Sequence, residues 1–72
     1  PTPPPTNTRR NMLEQNIQAW ALDGYANQIN AENAAAVGDD TAKAQAEANM
    51  ATIAAAIQNA QAELDTLPEA DA

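Results

Sequence analysis

Apolar positions fall into two long stretches with different helical character. In the second, Met50, Ile53, Ile57, Ala60, Leu64 and Leu67 recur three and four residues apart, the spacing of a coiled-coil seam. Carried backward, that seam reaches Ala46 and Lys43, so its first half holds almost no large side chain. In the first stretch, Leu13, Ile17, Ala21, Tyr25 and Ile29 step by four. At 3.6 residues per turn such a stripe drifts about 40° with each step. Trp20 and Leu22 lie off this line, on different sides of it.

Turn chemistry separates the two stretches. Val37-Gly38 stops the first, Gly38 suiting the left-handed position just past a helix end. Asp39 or Asp40 then caps the second helix and complements its positive N-terminal dipole. Pro68 ends the second helix and pushes Leu67 out of helical conformation. A link this short between helices of similar length predicts an all-α, antiparallel two-helix hairpin, with a helix over about 9–36, a turn over 37–40 and a helix over about 40–66.

Upstream, residues 1–8 read PTPPPTNT, in which Pro1, Pro3, Pro4 and Pro5 lack amide donors and hold their predecessors extended. This predicts a Pro-rich N-terminal arm in polyproline II conformation, with a disordered tail as the alternative. The first helix has two candidate caps: Asn11, with Glu14 at capping-box spacing, or Thr8. Residues 68–72 read as an acidic tail. The N-terminus lacks the charged-then-apolar order of a signal peptide, and a Met before Pro1 would be trimmed, so the expectation is a nearly complete small product or a processed fragment.

Composition narrows the chemistry. Nineteen of 72 residues are Ala, so the 44% hydrophobic content consists largely of methyl groups that favour helix and add little packing mass. A core this thin predicts a weakly stable isolated monomer. The chain has no Cys and no His, which removes thiolate chemistry, the commonest metal ligand and the commonest general base. Net charge is −7, from ten acids against Arg9, Arg10 and Lys43, with five acids and no base beyond Lys43. That field opposes nucleic acid and anionic membrane, and no apolar run approaches the ~20 residues of a membrane span.

No residue set resembles a catalytic, cofactor or metal site. Asp39-Asp40 is explained by helix capping, and Glu63 and Asp65 point to different faces. No nucleophile has a base beside it, so the expectation is not an enzyme, with no cofactor and no small-molecule substrate. The informative residues are those a single partner helix cannot cover. Trp20, or the face made by Leu22, Tyr25 and Ile29, is left for a second surface, while Met50, Ile53, Ile57, Leu64 and Leu67 serve the hairpin's own seam. Trp20 has a second reading, as a half-buried cap on the hairpin's open end. Arg9 and Arg10 oppose the helix dipole, which marks them either as docking contacts to a partner's carboxylates or, for Arg10, as an i,i+4 pair with Glu14. Gly24 marks a bend or a close backbone approach. Ala44, Ala48, Ala51, Ala54, Ala55, Ala56 and Ala62 leave the flanks of the second helix smooth, which suits close packing on two sides as well as simple helix propensity.

In general character the chain resembles the small accessory virion proteins of tailed bacteriophages. The resemblance rests on composition: the arm PTPPPTNTRR, and the Ala-, Asn- and Gln-rich stretches NQINAENAAA and MATIAAAIQNAQAEL. It implies a non-enzymatic structural subunit packed in multiple copies, as a cement, connector or tail-associated protein. Its partners would be protein subunits, in a homo- or hetero-oligomer. Two other readings stand beside it: an acidic helical module that masks one basic partner protein, and a self-contained homo-oligomeric bundle.

Overall fold

A computed structural model describes residue 2 and residues 4–68. These form two helices, α1 (Thr6–Ala36, 31 residues) and α2 (Asp40–Thr66, 27 residues), folded back on each other as a hairpin. The molecule is a rod of 55 × 20 × 16 Å, one helix pair thick. Among the described residues no third element covers the outward sides of either helix.

The turn is built by local chemistry. Gly38 adopts φ +74°, and its amide donates to the Ala35 carbonyl at 3.2 Å while the Asp39 amide donates to the Ala34 carbonyl at 2.9 Å. This pair of bonds is a Schellman motif, which satisfies carbonyls that the end of α1 would otherwise leave bare. Asp39 is the residue that caps α2: its Oδ1 accepts from the Ala42 amide at 3.0 Å, and Asp40 adds an acid to the first turn. At the far end, Leu67 is extended at φ −70°, ψ 142°, as the following Pro68 requires.

The start of α1 differs from expectation. The helix begins at Thr6 and not near residue 9, and neither Thr8 nor Asn11 caps it. Pro5, at φ −56° and ψ 154°, is the last extended residue, and its carbonyl accepts from the Arg9 amide at 3.0 Å to open the helical ladder. Proline restrains the residue before it and leaves the residue after it free to turn, so Thr6, Asn7 and Thr8 form the first turn. Residues 6–8 of the expected arm therefore belong to α1, and of its remainder Pro1 and Pro3 lie outside the described residues. Of the acidic tail, so do residues 69–72.

The contact face of α1 also differs. The every-fourth stripe through Ala21, Tyr25 and Ile29 is not the buried one, since all three side chains are exposed. From Leu13 onward the half-buried and buried positions are Leu13, Ile17, Trp20, Gly24, Asn27, Ala31 and Ala34, alternating three and four apart. Only this alternation keeps a helix face turned toward one straight partner over many turns. On α2 the inward positions are Ala46, Met50, Ile53, Ile57, Ala60 and Leu64, with Leu67 just past its end; Lys43 is exposed. The fully buried residues are Ala31, Ala34, Ala46 and Ala60, and no large side chain among the described residues reaches that class.

Candidate functional site

A polar relay ties the helices together along one side of the seam. Gln45 Nε2 donates to Asn49 Oδ1 at 3.1 Å, Asn49 Nδ2 donates to Asn27 Oδ1 at 3.1 Å, and Asn27 Nδ2 donates to the Asp23 carbonyl at 2.9 Å. This relay fixes Asn27 opposite Asn49 and so sets the register, as a polar seam residue does in a coiled coil. Around it, between the last turns of α1 and the first turns of α2, runs an open groove of about 510 Å³ whose walls include Asn30, Asn33, Val37 and Ala42. The wall is mostly amide and methyl, and the contacts it offers are solvated.

At the open end of the hairpin Arg10 plays an internal part. Its guanidinium donates to Asn7 Oδ1 at 3.2 Å through Nη1 and to the Pro68 carbonyl through Nη2. A cation near the start of α1 is thus placed over the terminus of the neighbouring chain segment, where carbonyl oxygens collect. Arg9 is half-buried beside it.

The six side chains that the sequence singles out as an outward interface therefore separate. Trp20 sits half-buried on the side of α1 that faces α2, and Arg10 links the start of α1 to the segment after α2. Leu22, Tyr25 and Ile29 stand together on the opposite side, 72%, 61% and 41% exposed. Their spacing of three and four residues places them in one line on the helix surface. Met12 and Val37 are also exposed, away from that line. Gly24 and Asn27 are contact-face residues that hydrophobic patterning overlooks; the three-four alternation from Leu13 to Ala34 is the signal that locates them.

Gly24 faces a side chain and not a backbone: a methyl group in its place would stand 3.7 Å from Ile53 Cγ2. Among the described residues, no three His, Cys, Asp or Glu side chains come together as a metal site, and no helix is long and apolar enough to cross a membrane. In comparison with known families, characterised proteins and solved structures, the chain matches none of them.

Proposed function

We propose that this protein is a non-enzymatic structural subunit that works packed among other protein subunits, with the outward face of α1 as its main contact. One observation carries this reading. Among the described residues only alanines are fully buried, while Leu22, Tyr25 and Ile29 form an apolar line on the outside of the hairpin. A chain with few large side chains gains most from those it buries, and three of them stand where only a neighbour can cover them. Tyr25 at the centre of the line has the apolar body and polar tip common in interface anchors. The composition-level resemblance to accessory virion proteins supports a virion as the setting.

The experiment is a pair of surface substitutions, Leu22→Ser and Tyr25→Ser, each studied by circular dichroism and sedimentation. Both residues are exposed and make no contribution to the seam, so helix content should hold. Association should weaken by about tenfold or more per residue, the effect of losing roughly 1.4 kcal/mol or more at an anchor. Unchanged association in both variants would remove the α1 face from the account.

A further inference from the structure

Helix α1 starts where its own sequence gives it least help. Pro5 offers no side-chain cap, the first turn holds no acid, and Arg9 and Arg10 follow with charges that oppose the helix dipole. Two better starts lie just downstream: Thr8 as a cap, or Asn11 with Glu14 at capping-box spacing. Neither is used. Local chemistry therefore does not account for a helix that begins at Thr6.

Support for this turn comes from the other end of the chain. Arg10 joins the two: its Nη1 holds Asn7 Oδ1, inside the first turn, and its Nη2 holds the Pro68 carbonyl, 58 residues away. Leu67 is kept extended by Pro68, which limits where that carbonyl can stand. Thr6, Arg9 and Leu67 are half-buried at the same end of the hairpin.

We infer that Arg10 is a clasp that sets where α1 begins. Closed on the Pro68 carbonyl, it holds Asn7 in helical conformation, and residues 6–8 belong to α1. Open, it leaves the start of the helix to local chemistry, which favours Thr8 or Asn11. Residues 6–8 then join the extended segment that ends at Pro5. Three residues span about 9 Å in polyproline II conformation against about 4.5 Å in a helix. The clasp thus governs how far the Pro-rich segment reaches, and ties that reach to closure of the hairpin's open end. It goes beyond the subunit reading and does not depend on what covers Leu22, Tyr25 and Ile29.

Arg10→Met tests the clasp, because it keeps the aliphatic stem and the helix propensity of arginine while removing both bonds. It also removes a cation near the positive end of the helix dipole, so on local physics alone the first turn should gain helix. The clasp predicts the reverse. In backbone NMR of the full chain, residues 6–8 should lose their helical Cα shifts while residues 13–34 keep theirs. Pro68→Gly frees the acceptor from the other end of the chain and should produce the same loss. It alone decides the matter if Arg10→Met fails to fold. Residues 6–8 that stay helical in the folded variant, or become more so, overturn the clasp.

Discussion

Replacing Gly24 with Ala tests whether the seam is spaced as described. Gly24 lies in the middle of α1, where glycine costs about 1 kcal/mol relative to alanine. The new methyl would stand 3.7 Å from Ile53 Cγ2, an ordinary van der Waals distance, so no neighbour has to move. Half-burial of that methyl adds a fraction of the ~0.8 kcal/mol of a fully buried one. The sum is a stabilisation of about 1–1.5 kcal/mol. In a chain of this size each kcal/mol moves the melting temperature by roughly 4–8 °C, so thermal circular dichroism should show a rise of about 5–10 °C. A fall in Tm would mean that the helices pack closer at Gly24 than the contact with Ile53 implies, and the seam geometry would have to be redrawn.

Three further substitutions probe other parts of the hairpin. Trp20→Ala removes the largest side chain from the α2-facing side of α1 and should cost about 2 kcal/mol, part of the ~3–5 of a fully buried site, read as a lower Tm with lost helix content. Ile57→Asp places a charge at a half-buried seam position and should abolish cooperative melting; a melt unchanged from the parent would exclude the seam. Asp39→Ala deletes the side-chain cap on Ala42 and should destabilise by about 1 kcal/mol in urea titration, with a near-zero effect showing that the Schellman turn alone holds the α2 start.

The turn was legible because its chemistry is local. Gly38, Asp39 and Pro68 each act through a backbone geometry that needs no tertiary partner. The seam of α2 was legible because Ile53, Ile57 and Leu64 give it a hydrophobic signal. The face of α1 was not, for a physical reason. Close packing against α2 is achieved there by Gly24, Asn27, Ala31 and Ala34, which carry little or no hydrophobic signal, while Leu22, Tyr25 and Ile29 face outward. Beyond Trp20, hydrophobic patterning follows the large residues and so traces the outer surface of α1 in place of the inner one. The same feature separates Trp20 from Leu22: two residues apart, they stand about 160° apart on the helix. Arg10 was visible as an ill-placed cation, but its bond to the Pro68 carbonyl spans 58 residues and depends on the hairpin having closed.

The central claim is that the hairpin is completed by its neighbours, and the most direct measurement is its thermal melt as a function of protein concentration. Where folding and association are coupled, binding of neighbours adds to stability by mass action. Across about a hundredfold range of concentration the account predicts a Tm that climbs steadily, with the climb lost in Tyr25→Ser. A sharp melt at one fixed temperature across that range, from a species that sediments as a monomer, would contradict it.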